Sequence, residues 1–358
     1  MPIAFYATDK LRSSMIEDIR CFTLEELEKS FKALQIEPYR AGQVFDWLYK
    51  HDTVDFSLMK NLSSSVREKI SQYYVVAPFV TERVEASSDG SEKFLFRLED
   101  GALIESVLIP SRDHVSVCLS TQVGCRFACA FCASGSKGFK RNLSPSEIVG
   151  QFLAIKKKIA PQRISNVVFM GVGEPLDNYD NLLKTIRILN HEKGINLGIR
   201  KMTVSSVGLA PAIERLSKEG LQIELSISLH AALDAKRKEL LPVNKRYPLK
   251  ILMEAVKKYA AATKRKITFE YVLLSGFNTS LEDARALVRL VRDLICRVNL
   301  IPYNETNSRA AYNAPTKMEL LSFKDYLLKN GIDVTLRIPR GRDIMAACGQ
   351  LRAEREQF

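Results

Sequence analysis

The chain has 358 residues, 46% of them hydrophobic and 26% charged, which suffices for one large core and a smaller one. No run of eighteen apolar residues is present, so no membrane span is expected. The first residues carry Asp9, Glu17 and Asp18 and no apolar segment, which fits neither a secretory signal nor a transit peptide and leaves a cytoplasmic protein as the expectation.

In chain order, residues 1–80 read as a small helical domain. Thr23-Leu-Glu-Glu26 is a capping box, and Leu24, Leu27, Phe31 and Leu34 recur at helical spacing. A second helix is expected from Tyr39 to about His51. Ser65-Val-Arg-Glu68, a further capping box, is expected to start a third, and the run Val75–Val80 ends the domain. Residues 81–114 read as a hairpin connection: strands 93–98 and 102–109 flank a turn at Asp100-Gly101. Both faces of the second strand are apolar, so it should be buried, with Glu105 among Leu103, Val107 and Ile109.

From 115 to 345 strands alternate with amphipathic stretches of helical length. The strands are expected at 115–119, 165–170, 201–205, 223–229, 267–273, 297–301 and 333–338. This pattern is that of parallel βα units, and periodicity alone leaves an open doubly wound sheet and a barrel as alternatives. A final segment, 346–358, closes the chain. Nearly every chemically suggestive residue falls where one of these strands ends, the rim on which parallel βα folds build their sites.

Seven cysteines are an odd number for a secreted disulfide framework, and three of them crowd together as Cys125-x3-Cys129-x2-Cys132. Three thiolates in one loop can each take one iron of a 4Fe–4S cubane, leaving the fourth iron without a protein ligand. An open iron can chelate the amino and carboxylate groups of S-adenosylmethionine (SAM). With Phe131 before the last cysteine and Gly173-Glu174-Pro175 after the next strand, the pattern is similar to the radical SAM signature. The alternative is structural zinc with Cys118 or His114 as fourth ligand, although zinc ligands usually fall in two separated pairs.

Basic residues gather at 137–141, 156–158, 236–238, 245–246 and 264–266. One such run is an ordinary solvated helix face. Several together, with a net charge of +12, favour a nucleic-acid partner, because each phosphate neutralised releases counterions.

Over nearly its whole length the chain resembles the RlmN/Cfr family of radical SAM RNA methyltransferases, and RlmN more than Cfr. The resemblance is carried by Cys118–Cys125, Gly138–Leu143, Phe169–Leu176, Ser228-Leu-His230, Leu300–Asn304 and Gly341–Leu351. It implies a partial (β/α)6 barrel with an N-terminal helical domain, and a reaction consuming two SAM molecules per turnover. Cys348 would take a methyl group from one SAM by displacement. A 5′-deoxyadenosyl radical from the other would abstract hydrogen from that S-methyl group, and the methylene radical would add to C2 of adenine. Cys118 would then release the product by forming a disulfide, with Glu105 as proton acceptor. Gly173, Glu174, Ser205, Ser228, Leu229, His230 and Asn304 would contact SAM, and Cys125, Cys129 and Cys132 would hold the cluster.

A nucleophilic Cys348 needs a lowered pKa, for which Arg340 and Arg342 are near in sequence. Without the family, Cys118 would read as a core thiol and Glu105 as half of an ion pair with an arginine. Val172, where methionine is usual, and Glu305, where proline is usual, remove no catalytic group. The expected substrate is adenine in 23S rRNA, with tRNA beside the anticodon as a second. The expected electron donor is a flavodoxin-like protein, and the enzyme is expected to be a monomer. Competing readings are a Cfr-like C8 methyltransferase, a radical SAM enzyme acting on a small metabolite, and a non-catalytic zinc protein that binds RNA.

Overall fold

A computed structural model describes residues 16–304 and 312–351; Asp9 and Glu305 therefore lie outside the described residues. Near the N-terminus, helices α1 (Leu24–Ala33), α2 (Tyr39–Tyr49) and α3 (Ser64–Tyr73) share a core. Thr23 and Glu26 form the expected capping box, satisfying donors that the first turn cannot pair internally. At α3 the cap falls two residues before the expected one: the Ser63 side chain accepts from the Val66 N–H. Leu27, Phe31, Phe45, Leu48 and Ile70 pack together, and the cluster extends onto Val149 and Ile188 of two later helices.

Ten strands form one sheet: β1 (Val80–Ala86), β2 (Glu92–Arg97), β3 (Leu103–Pro110), β4 (Val115–Cys118), β5 (Asn166–Phe169), β6 (Met202–Ser206), β7 (Glu224–Ser228), β8 (Ile267–Leu273), β9 (Cys296–Pro302) and β10 (Asp333–Leu336). They lie side by side in chain order. β1 to β4 pair antiparallel, and β4 to β10 pair parallel. All seven parallel strands fall where periodicity places them. The unexpected strand is β1: it is the sheet's edge, and Glu82, Arg83 and Glu85 interrupt its apolar positions.

The six parallel crossovers are filled by α4 (Pro145–Ile159), α5 (Tyr179–Asn190), α6 (Ala210–Leu216), the pair α7 (Asp234–Leu240) and α8 (Leu249–Thr263), α9 (Leu281–Val291) and α10 (Lys317–Lys329). A doubly wound sheet reverses its strand order at a switch point. This order never reverses, which settles the alternative left open by periodicity. On a flat sheet, β4 and β10 would stand roughly 29 Å apart at the usual strand spacing. Yet Cys118 on β4 and Arg337 just past β10 line one cavity. The sheet therefore curls into a partial barrel, its helices outside and its strand ends converging on the interior.

Phe31 is fully buried at the centre of the N-terminal core. Phe31→Ala should lower the stability of that core by about 3–5 kcal/mol, read by urea denaturation; an unchanged midpoint would contradict this packing.

Candidate active site

The cluster loop is closed at its neck. Gln122–Gly124 pairs antiparallel with Phe139–Asn142, and the Cys125 N–H donates to the Gly138 carbonyl at 2.9 Å. Cys125, Cys129 and Cys132 line one cavity of about 850 Å³, together with Gly173, Glu174, Ser205, Ser228, His230, Glu270, Arg337 and Cys348. Burial pushes the Cys125 thiol up to about 12 and raises that of Cys129 well above its ordinary value. Thiolates in such a place need a cation, and cluster iron would provide it.

Among the described residues, no three His, Cys, Asp or Glu side chains converge as a single metal ion requires. A cubane needs no such convergence, because each thiolate binds a different iron. His114 is exposed just before β4, at the end of that strand away from the cysteine loop, so it cannot complete a zinc site there.

Gly173 adopts φ +105°, and a Cβ on it would lie 2.5 Å from the Gln122 Cβ. Only glycine brings this backbone against the start of the cluster loop. The Glu174 side chain is a clamp: its two oxygens accept from the N–H groups of Leu176 (3.1 Å) and Val207 (2.8 Å), joining the loops after β5 and β6. Burial pushes its carboxyl up to about 7 against these hydrogen bonds. The Leu229 side chain lies in the apolar core and not in the cavity, because side chains alternate along the strand and Ser228 takes the inward position. At His230, Nδ1 accepts from the Val272 N–H at 3.1 Å, and burial with nearby Arg237 pushes the imidazole down to about 3. It is therefore neutral at pH 7 with its proton on Nε2, a hydrogen-bond donor. Its ring meets Phe131 of the cluster loop edge to face, at 4.7 Å between centroids.

Arg237, which sequence reasoning placed in a basic run, is fully buried. It donates to the carbonyls of Val207, Ser228 and Leu229 and to Asn244, and so ties together the ends of β6 and β7. Lys236 beside it binds the buried Asp283. Lys156, Lys158, Arg141, Arg265 and Lys266 are likewise paired within the chain. Much of the basic clustering thus serves internal ion pairs.

A second cavity, of about 830 Å³, adjoins the first and shares Cys132, Ser134, Met170, Gly171, Ile301, Arg337, Cys348 and Gly349 with it. Its other walls include Val107, Ile109, Cys118, Val168 and Asn304. Cys348 thus faces both spaces, whereas Cys118 faces only the second. All seven cysteines are free thiols. Burial pushes Cys118 up to about 12. Cys348 is accessible from the cavities, but the surrounding walls raise its thiol, against the pull of Arg337. The expected lowering by Arg340 and Arg342 is not found: the opposing cation is Arg337, and Arg340 instead binds the Asp89 carbonyl.

Asn304 Nδ2 donates to the Cys348 carbonyl at 3.3 Å, while its buried Oδ1 has no partner among the described residues. Glu105 is buried behind the second cavity, on the side of β3 that carries Val107 and Ile109. Lys93 Nζ lies 3.7 Å from its Oε1, an ion pair formed across the strands. The Glu105 carbonyl accepts from Ser120 Oγ, which also accepts from the Val172 N–H, so its backbone is fixed to the loops beside the cluster. Glu270 was also missed in the sequence. It is a buried carboxylate on the first cavity's wall, with Oε1 bonded to Ser226 and Asn299, and Oε2 lies 3.9 Å from Arg337. It sits in an unremarkable strand, and only the alternation of the pleat could have aimed it inward.

A curled parallel sheet with three cysteines in the loop after its first parallel strand is the fold and site of a radical SAM protein. The family model described as Radical SAM superfamily matches residues 119–291, and that of the ribosomal RNA large subunit methyltransferase N-terminal domain matches 18–76. A radical SAM methyltransferase from Sphaerobacter thermophilus superposes with a TM-score of 0.89 at 42% identity, covering 94% of this chain and all of that one. A Geobacillus kaustophilus protein named "Probable dual-specificity RNA methyltransferase RlmN" is 45% identical over 341 residues, 95% of this chain and 93% of its own length. One of the same name from Clostridium novyi is 43% identical over 94% of this chain and 98% of its own. The chain belongs to the RlmN family.

Glu174 and His230 set opposite pH dependences. Glu174 holds its proton up to about 7 when folded, against an ordinary 4.5. It therefore adds stability below 4.5 that is lost as pH rises to about 7. His230, with its pKa lowered from 6.5 to about 3, contributes stability above 6.5 that is lost on acidification towards 3. Urea unfolding should find wild type more stable relative to Glu174→Gln at pH 5 than at pH 8. A difference independent of pH would contradict this assignment.

Proposed function

We propose that this chain methylates C2 of adenine in 23S rRNA, and of the adenine beside the anticodon in tRNA, through a methyl group carried on Cys348. The observation that carries this reading is the place of Cys348 on the wall shared by two cavities. The cluster cysteines line one, and Cys118 lines the other. A thiol there can collect a group on one side and deliver it on the other. A second thiol beside the delivery cavity has no evident use in simple hydrogen abstraction from a metabolite.

The cluster and SAM, when bound, supply a transferable methyl group and a carbon radical able to abstract hydrogen. Cys125, Cys129 and Cys132 hold the cluster. The Gly173 backbone, Ser205, Ser228 and the His230 Nε2–H line the space for SAM. Glu174 positions that space by clamping its loops, and Asn304 holds the Cys348 backbone. Arg337 opposes the burial penalty on the Cys348 thiolate as it attacks. Apolar Val107, Ile109, Val168 and Ile301 suit the faces of a flat base. Glu105 takes the C2 proton, and Cys118 attacks the Cys348 sulfur: the S–S bond forms as the bond from sulfur to the methylene carbon breaks, and that carbon takes up a proton to leave as the methyl group of the product. Among the described residues, no helix is long and apolar enough to cross a membrane. The enzyme works as a monomer in the cytoplasm, with a flavodoxin-like protein as reductant.

Anaerobic turnover with SAM, reductant and an rRNA fragment should yield 5′-deoxyadenosine and 2-methyladenosine. Finding 8-methyladenosine, or no methylated base from fully loaded enzyme, would overturn the reading. Cys125→Ala should lose iron, and a full cluster in that variant would remove it from the ligand set. Cys118→Ala should accumulate protein joined covalently to RNA, visible on a denaturing gel; absence of the adduct would count against its resolving role.

A further inference from the structure

Cross-strand register places Glu85, Lys93, Val107 and Cys118 in one row across β1, β2, β3 and β4. Lys93 is buried in the middle of this row, an unusual place for an ammonium group. Its Nζ donates to the Ile344 carbonyl at 2.6 Å and lies 3.2 Å from Glu85 Oε2 and 3.7 Å from Glu105 Oε1. Ile344 lies four residues before Cys348. One side chain therefore touches both Glu105 and the segment that carries Cys348.

That segment is pinned to the β1–β2 turn by further bonds. Asp343 accepts from Ser87 Oγ (2.6 Å) and the Ser88 N–H (3.0 Å), and Asp89 accepts from the Gly341 N–H (2.9 Å). These bonds hold the segment without reaching Glu105, whereas Lys93 reaches both.

We propose that Lys93 is a positioning residue that holds the proton-accepting Glu105 and the Cys348 segment in a fixed relation, so that the covalent RNA adduct is delivered to its base. This rests on the functional reading above. In the step concerned, the C2–H bond of the adduct breaks, an O–H bond forms on Glu105, and the electron pair stays on the ring. Lys93 keeps Glu105 fixed for that transfer. A misplacement of about 1 Å costs such a step up to about a hundredfold in rate.

The test is single-turnover reaction of the cluster-loaded Lys93→Met protein, with iron content and thermal unfolding measured alongside. The ratio of 5′-deoxyadenosine to released 2-methyladenosine should rise about tenfold or more, with RNA–protein adduct accumulating, and Lys93→Arg should restore release. If Lys93→Met does not fold, Lys93→Gln takes its place: it can still donate to Ile344 but removes the ammonium group beside Glu105, and it should show the same adduct. Both products falling together without adduct would mean a purely structural lysine and would overturn the proposal. Glu105→Gln and Cys118→Ala serve as references. If they trap adduct and the Lys93 variants do not, only this inference fails. If they trap none, the functional reading fails first.

Discussion

Burying reactive sulfur is the constraint on which this molecule depends. Five cysteines converge on the interior of one curled sheet, where desolvation raises the thiols of Cys118, Cys125, Cys129 and Cys348. Burial protects a radical route from water and stray hydrogen donors, yet it works against the thiolate form that binding iron or attacking carbon would require. The fold answers with cations at fixed places. Arg337 faces Cys348 across the cavity, and Arg237 lies beneath the cluster loop.

Such buried charges are themselves costly, and a buried cation left without partners would lose several kcal/mol. Arg237 is held by three strand-end carbonyls and an asparagine oxygen, so the group that offsets sulfur's burial also staples the rim on which the cavity is built. Glu174 does the same from the opposite sign, exchanging its solvation for two backbone N–H bonds. Glu174, a cavity-lining residue expected from sequence as a ligand contact, thus also shapes the pocket. Stability and function draw on the same hydrogen bonds at this rim.

Much of this was legible in the sequence because it is local. The seven parallel strands carry apolar runs bounded by helical periodicity, and the cysteine spacing is confined to eight residues. What was not legible is mostly long-range. The choice between barrel and doubly wound sheet rests on strand order, which periodicity does not encode. β1 went unseen because an edge strand with charges at Glu82, Arg83 and Glu85 has no buried stripe to read. Arg237 and Lys236 looked like a solvated basic run, because their partners, Asn244, Asp283 and the ends of β6 and β7, come together only on folding. The pairing of Glu105 with Lys93 was not legible for the same reason: Lys93 reaches it across strand pairing and not along the chain.

The central claim is that Cys348 carries a methyl group between the two cavities. Intact-protein mass spectrometry after anaerobic purification, followed by peptide mapping, tests it most directly. The account predicts a population heavier by one methyl group, with the added mass on the Cys348 sulfur. Enzyme that turns over RNA while Cys348 is never found methylated would contradict it.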